Sequence, residues 1–354
     1  MHPSEIEALL QDLADADAFS GVVRVTAHGE ERFAGAYGLA SRAWGVPNTL
    51  EMRFDTASIT KLFTAVAALQ QVDAAAFALD EPVTAYLGLA GTQIAPEVTL
   101  RHLLTHTSGI GDDADEEAGE PYEDVYREHP NYAIRETADF LPQFVHRAPN
   151  FPPGRGCRYN NCGYVLAGLM IERATGRSYR DVVQHDVFER AGMIGATFQG
   201  MDTVRERVAE GADPVRDAAG SIVGWRRNIY SFPPSGSPDS GALVTAVDLD
   251  RFIDAVRKGR LLSPASTDAF LTPQVDYRER DGWWQRFGLG PWFRVEPDGE
   301  ALFLEKEGTN PGVSGFVRHY PAWNITAVVL SNIGDGAWEP GRRLHDAVMA
   351  GEFS

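Results

Sequence analysis

The chain has 354 residues, of which 44% are hydrophobic, and a formal net charge of −18 from 50 acidic and 32 basic residues. This length suffices for a large core and two lobes, whereas the acidic balance excludes binding to nucleic acid or to an anionic membrane surface without a local basic patch, and no such patch is evident. No stretch reaches the roughly 18 apolar residues of a membrane span, and the opening residues lack the features of a signal peptide, so we expect a cytoplasmic protein with no membrane partner.

In chain order, the opening residues predict a short, acidic, amphipathic helix, and alternating or β-branched runs predict six strands. Short connections between these strands favour antiparallel pairing, so the two chain ends are expected to build one sheet. The middle of the chain is helical and rich in loops. We therefore predict an α+β fold with an antiparallel sheet flanked by helices, built from residues 1–79 and 240–354, and a mostly helical lobe of residues 80–239 inserted between them. The predicted strands cover residues 21–26, 32–36, 287–295, 301–306, 315–320 and 326–331.

A serine and a lysine stand three residues apart at the start of an apolar segment, in Ser58-Ile-Thr-Lys61. Residues at this spacing share one face of a helix, so the Lys61 amine can reach the Ser58 hydroxyl. Residues 62–69 are almost all apolar, which predicts a buried helix and a poorly solvated Lys61 whose neutral form can accept a proton. The helix start also offers N–H groups that can hold an oxyanion. Taken alone, however, the pattern is more typical of a helix cap than of a nucleophile.

Tyr159 and Asn161 follow a loop rich in Pro and Gly and precede an apolar run that begins a helix. A phenol can relay a proton and an amide can both donate and accept hydrogen bonds, so the pair suits a site that moves protons and holds a polar substrate. The alternative is that Tyr159 packs and the asparagine caps the helix. The only two cysteines, Cys157 and Cys162, flank Tyr159. Without an export signal we expect two free thiols, and two thiols alone do not make a metal site.

The residues before Lys306 alternate in the manner of a strand, with Leu304 and Lys306 on one face and Glu305 and Glu307 on the other. Gly308 permits another backbone or a ligand to approach closely. In isolation, a charged pair at the end of a strand is typical of a solvated edge.

Together, Ser58-x-x-Lys61, Tyr159-x-Asn161 and Lys306-Glu-Gly308 resemble the motifs of the serine β-lactamase and penicillin-recognising family, especially its class C and esterase-like branch. Their order and spacing fit, and further similar segments extend the resemblance over most of the chain. The departure is at Glu307, because the family has Lys-Thr-Gly or His-x-Gly at this motif. The further segments are Phe19-Ser-Gly21, the stretch 98–110, the stretch 240–248, Phe287-Gly-Leu-Gly290 and Val329-Leu-Ser-Asn332.

The resemblance implies acyl transfer, with Ser58 attacking a carbonyl after losing its proton to Lys61, to Tyr159 or to the two as a coupled pair. The backbone N–H groups of Ser58 and Thr309 would form the oxyanion hole, and Lys306 would hold the Tyr159 oxygen in a favourable field. No metal or cofactor is implied.

Asn161 would contact the substrate amide or the Lys61 amine, and water would release the acyl-enzyme. The expected substrate is a small ester or amide, hydrolysed by a β-lactamase-like esterase or amidase. The alternatives are a true β-lactamase or D-amino-acid peptidase, and a non-catalytic binding protein on the same fold.

Two features bear on the substrate. An ionised Glu307 has no hydrogen-bond donor and repels an anion, so we expect penicillins and cephalosporins to be poor substrates and neutral or cationic esters and amides to be preferred. Trp283 and Trp284, just before Phe287, either line the acyl pocket or pack in the core.

Two other patterns suggest metal sites only weakly. His102 and His106 are spaced as on one helix face, but no third ligand is evident, and capping or core hydrogen bonding is favoured over zinc. The eight acidic residues within 112–124 lack the spacing of a calcium loop, so they predict a solvated or disordered loop that could form a mobile rim.

Overall fold

The computed structural model describes residues 3–114 and 116–353. Its strands are β1 Gly21–Ala27, β2 Glu30–Tyr37, β3 Leu39–Ser41, β4 Val46–Pro47, β5 Phe54–Asp55, β6 Ala212–Arg216, β7 Ile222–Arg227, β8 Leu243–Val244, β9 Val275–Arg280, β10 Trp283–Phe287, β11 Trp292–Val295, β12 Ala301–Asn310, β13 Val313–Tyr320 and β14 Ile325–Ser331. Its α-helices are α1 Pro3–Asp15, α2 Thr60–Asp73, α3 Val83–Leu87, α4 Leu100–Leu104, α5 Tyr122–Glu128, α6 Leu141–Phe144, α7 Cys162–Thr175, α8 Tyr179–Val182, α9 Ala246–Arg257, α10 Pro264–Leu271 and α11 Trp338–Met349. Short 3-10 turns cover Ala57–Ile59, Glu116–Ala118, Asn131–Ala133, Thr137–Phe140 and Pro321–Trp323, and a π-helix covers Val183–Glu189.

Eight strands form one sheet in the order β2-β1-β14-β13-β12-β11-β10-β9, and every neighbouring pair is antiparallel. The strands come from both ends of the chain, so the first two lie beside the last. The predicted α+β class, with an antiparallel sheet flanked by helices, is confirmed. The division into lobes at residues 79/80 and 239/240 stays a prediction.

The two faces of the sheet bury separate cores because side chains alternate along each strand. In β14, Val328 and Leu330 point into the larger core, which contains α2, α7 and α9, whereas Ala327 and Val329 point into a smaller core under α1 and α11. The first ten residues of α2 are all buried. Full burial of each large apolar side chain contributes roughly 1.5–3 kcal/mol, which holds this helix, and the turn before it, firmly in place.

The sequence prediction fails at three places. A single strand over 287–295 is wrong, because the chain turns between Phe287 and Trp292. Gly290 in this turn has φ +118°, and a Cβ there would lie 2.8 Å from the Cβ of Ala65 in α2, so only glycine fits. Strand β9 was not predicted, and the middle region also contains the β6–β7 hairpin. Among the described residues, none of the helices combines the length and apolarity that crossing a membrane requires.

Candidate active site

Ser58 lies in the 3-10 turn that leads into α2, partly open to a cleft, and Lys61 lies one turn further with its side chain fully buried. The Lys61 Nζ is 2.9 Å from Ser58 Oγ, 2.7 Å from Asn161 Oδ1 and 2.8 Å from the backbone oxygen of Asp239. Burial lowers the pKa of Lys61 from its usual 10.5. The two carbonyl oxygens can accept both N–H groups of a neutral amine, whose lone pair is then free to accept the Ser58 proton.

The backbone beside Ser58 is held in an uncommon conformation. Ala57 has φ +41°, a value that non-glycine residues rarely adopt. The carboxylate of Asp55 accepts a hydrogen bond from the Ala57 N–H at 2.7 Å, and burial raises the pKa of Asp55 to about 6. Asp55 therefore positions the serine turn, a role that no sequence pattern indicated.

Strand β12 lies directly against the serine turn because Gly308 has no side chain. A Cβ on Gly308 would lie 2.1 Å from the backbone oxygen of Thr56 and 3.0 Å from the backbone nitrogen of Ser58. The close approach expected at Gly308 is thus made by the backbone of the serine turn. It brings Lys306, Glu307 and Thr309 to the cleft in which Ser58 lies.

The Tyr159 hydroxyl lies between Ser58 and Lys306. It hydrogen-bonds to Ser58 and accepts a hydrogen bond from Lys306 Nζ at 3.2 Å. Loss of solvent, and then the charge of Glu116, raise the pKa of Tyr159 well above 10. Burial, and then the nearby Lys61, lower the pKa of Lys306 to about 7. A protonated phenol beside two amines that give up their protons readily is an arrangement suited to proton transfer.

The cleft has a volume of about 270 Å³, and the residues that line it include Ser58, Glu116, Tyr159, Lys306, Glu307 and Thr309. The chain matches the family model described as beta-lactamase over residues 6–349. The chain belongs to the beta-lactamase family.

Relatives within the family carry several names. Esterase EstB of Burkholderia gladioli is 31% identical over 70% of this chain and 68% of its own length. Penicillin-binding protein 4 of Amycolatopsis lactamdurans is 27% identical over 84% of this chain and 77% of its own length. A crystal structure of a penicillin binding protein from Bacillus halodurans superposes with a TM-score of 0.87 at 35% identity, covering 95% of this chain and 98% of that one.

The acidic segment 112–124 was predicted to be a solvated or disordered loop, but several of its acidic side chains are buried or contact the site. Asp113 is buried, and Glu116 and Glu117 line the cleft. Glu116 Oε1 accepts a hydrogen bond from Asn161 Nδ2 at 2.8 Å, and Glu117 Oε1 accepts one from the Tyr277 hydroxyl at 2.7 Å. The segment thus forms a rim over the site and gives it negative charge. Asp115 lies outside the described residues.

Neither Trp283 nor Trp284 is among the side chains that line the cavity of Ser58, so their role in an acyl pocket stays a prediction. Trp284 points to the larger core, on the opposite face of β10 from Gln285 and Phe287, and Trp283 stacks on Trp292 at 6.4 Å beyond the cleft. Strand alternation separates the two indoles, and the turn after Phe287 places that ring and Trp292 in the cleft instead. The aromatic wall is formed by Tyr159, Tyr277, Phe287 and Trp292.

The histidines and cysteines follow the favoured interpretations. His102 closes a capping box with Thr99, and His106 Nδ1 accepts the Asn160 N–H at 3.1 Å while its ring packs on Tyr159. Both cysteines are free thiols. Among the described residues, Asp112, Asp113 and Cys162 form the one group whose ligand atoms could converge on a metal. Asp112 is already engaged there, since its carboxylate accepts the backbone N–H groups of Asn161 and Cys162.

Proposed function

We propose that this protein is a serine hydrolase that acts through an acyl-enzyme on a small neutral or cationic ester or amide. The observation that carries the proposal is the 2.9 Å contact between Ser58 Oγ and a buried lysine amine whose other two neighbours are carbonyl oxygens. The similarity to an esterase at 31% identity supports it.

In the first half of the reaction, Ser58 Oγ bonds to the substrate carbonyl carbon and its proton passes to Lys61. The backbone N–H groups of Ser58 and Thr309 hold the resulting oxyanion. When the tetrahedral intermediate collapses, the bond to the leaving alcohol or amine breaks, and Tyr159 gives that group a proton, which Lys61 replaces. In the second half, water attacks the acyl carbon, its proton follows the same route in reverse, and Ser58 and the free acid are released.

The pKa shifts favour Lys61 over Tyr159 as the base. Burial lowers the pKa of Lys61, which favours its neutral, proton-accepting form. The pKa of Tyr159 is raised, so its hydroxyl stays protonated and suits the role of acid. Lys306, while charged, stabilises the negative charge that develops on the Tyr159 oxygen during the transfer.

The charge of the cleft favours a neutral or cationic substrate. Three carboxylate side chains, Glu116, Glu117 and Glu307, line the same cavity as Ser58 and outnumber its two basic side chains, Lys306 and Arg278. They attract a cationic group bound near the serine and repel a carboxylate in that position.

A cytoplasmic location is also proposed, and two free thiols are expected in a reducing compartment.

A second candidate function is hydrolysis of β-lactams or D-amino-acid peptides, because two of the relatives are named penicillin-binding proteins. Glu307 disfavours a penicillin carboxylate, and activity on nitrocefin compared with that on p-nitrophenyl acetate and on D-amino-acid amides separates the candidates. The binding-protein alternative predicts that none of these compounds reacts.

The test of the main proposal uses a fluorophosphonate probe and the variants Ser58→Ala and Ser221→Ala. Ser221 is an exposed serine in the β6–β7 hairpin connection and serves as the matched control. Intact mass should show one phosphonate adduct on wild type and on Ser221→Ala and none on Ser58→Ala, which should also lose ester hydrolysis by several orders of magnitude. Hydrolysis by Ser58→Ala above about a tenth of wild type would refute the proposed nucleophile.

A further inference from the structure

A second cavity of about 340 Å³ borders the active-site cleft along the sheet. The two cavities share four lining residues, Arg278, Gln285, Trp292 and Glu307. Strands β9 to β13 and the first half of α11 form its walls. A ligand that reaches beyond Glu307 therefore enters this second cavity, which we call the arginine groove.

The groove is basic although the chain carries a net charge of −18. Five arginines and two glutamates line it. Three of the arginines are neutralised by carboxylates: Arg318 pairs with the buried Glu305, Arg294 with Glu296 at 2.7 Å, and Arg342 with Glu339. Arg278 and Arg280 are both exposed and form no ion pair with any residue in the described part of the chain.

The pairing of β9 with β10 places these two arginines on one face. Arg280 lies opposite Trp283 and Arg278 opposite Gln285, and residues two apart in a strand point the same way. The Nε of Arg278 donates to Gln285 Oε1 at 2.8 Å, which fixes the guanidinium through one edge. Its terminal nitrogens have no acceptor among the described residues. Two such guanidinium groups side by side can hold a carboxylate through paired hydrogen bonds.

Planar side chains form the rest of the groove wall. The indoles of Trp283 and Trp292 are stacked with ring centres 6.4 Å apart and planes 20° apart. The guanidinium of Arg294 lies 4.9 Å from the centre of the Trp283 ring. Trp292 is buried and supports Trp283, which is partly exposed, and a partly exposed indole can bind a flat aromatic group by stacking.

We propose that the arginine groove binds an aromatic carboxylate at the far end of an extended substrate whose ester or amide bond lies at Ser58. Turnover of such a substrate depends on the hydrolase function proposed above, whereas binding of the aromatic carboxylate does not. The charges then select by position: close to Ser58, three glutamates oppose an anionic group and outnumber Lys306 and Arg278, whereas beyond Glu307 the exposed Arg278 and Arg280 attract one.

Binding is tested with 2-naphthoate and its neutral analogue 2-naphthamide, by calorimetric titration of the Ser58→Ala protein. The carboxylate should bind about tenfold more tightly than the amide, because paired charge-assisted hydrogen bonds are added to the same stacking. The Arg278→Gln/Arg280→Gln variant should lose this preference. The control Arg32→Gln/Arg216→Gln, which removes the same charge from exposed positions on β2 and β6, should keep it. Equal affinity for the two ligands, or a preference that survives in the groove variant, would overturn the proposal.

Turnover is tested on the active protein with 6-acetoxy-2-naphthoate, its neutral methyl ester, and 2-acetoxybenzoate. Relative to the methyl ester, kcat/KM should be higher for the extended carboxylate and lower for 2-acetoxybenzoate, whose carboxylate lies beside the reacting bond. Hydrolysis of all three without this order would overturn the groove assignment and leave the hydrolase proposal intact. Naphthoate binding that depends on Arg278 and Arg280, in a protein that hydrolyses none of the three, would support the groove and reject the hydrolase.

Discussion

The contact between β12 and the serine turn gives a sharp prediction for Gly308→Ala. The added Cβ would lie 2.1 Å from the backbone oxygen of Thr56, and real Cβ atoms essentially never come within 3.0 Å of such an atom. The strand and the turn must therefore move apart by about 1 Å, since neither contacting group is a flexible side chain. A displacement of about this size in a catalytic group can reduce the rate by about 100-fold.

The same substitution should cost modest stability. Overpacking in a well-packed interior typically costs about 1–3 kcal/mol, so the protein is expected to stay folded and the loss of rate to come from geometry. The moved strand carries Lys306 and Thr309, so both the contact with Tyr159 and the oxyanion site are disturbed together.

The assay measures kcat on p-nitrophenyl acetate, the rate of phosphonate labelling and the melting temperature. Gly224→Ala is the matched control, because Gly224 also lies in a strand, has an ordinary φ and has open space where a Cβ would stand. If Gly308→Ala kept a kcat within about threefold of wild type, catalysis would not require the close contact between β12 and the serine turn.

The parts of the site that could be predicted from sequence are local. Ser58 and Lys61 are three residues apart, so their spacing alone predicted that the amine can reach the hydroxyl, and the two atoms are 2.9 Å apart. Tyr159 and Lys306 are 147 residues apart, and the hydrogen bond between them was expected only through the resemblance to a family. The fold class followed from the strand patterns at the two chain ends.

The rest depends on contacts that no local pattern encodes. Asp55 acts through the backbone of Ala57, whose positive φ is set by surrounding packing, so the residue types give no signal. The arginine groove is assembled by strand register, which brings together side chains from β9, β11 and α11. Because these arginines do not form a run of basic residues in the sequence, no sequence pattern predicts the groove. The turn after Phe287, which places that ring and Trp292 in the cleft, also went unrecognised in the sequence.

Three further substitutions test the proposed roles. Tyr159→Phe keeps the ring that packs on His106 but removes the hydroxyl, so kcat should fall by about 100-fold, and an unchanged kcat would remove Tyr159 from the mechanism. Glu307→Thr should raise penicillin acylation, measured by intact mass over time, by about fivefold, because an exposed carboxylate opposes a nearby anion by about 1 kcal/mol in a high dielectric. No gain would show that Glu307 does not set this selectivity. Lys306→Met should show how much folding energy the buried amine costs. The pKa of Lys306 falls from 10.5 to about 7 on folding, chiefly through burial. Between these values the unfolded chain binds the proton and the folded chain does not, so this ionisation makes the free energy of unfolding rise with pH across the window. The methionine variant lacks the ionisation, and its melting temperature should exceed that of wild type most at about pH 6, below both values, with the difference closing toward about pH 10. A difference in melting temperature that stays constant from about pH 6 to about pH 10 would mean that the Lys306 amine keeps an ordinary pKa in the folded protein, and a permanently charged Lys306 could not exchange protons with its neighbours near neutral pH.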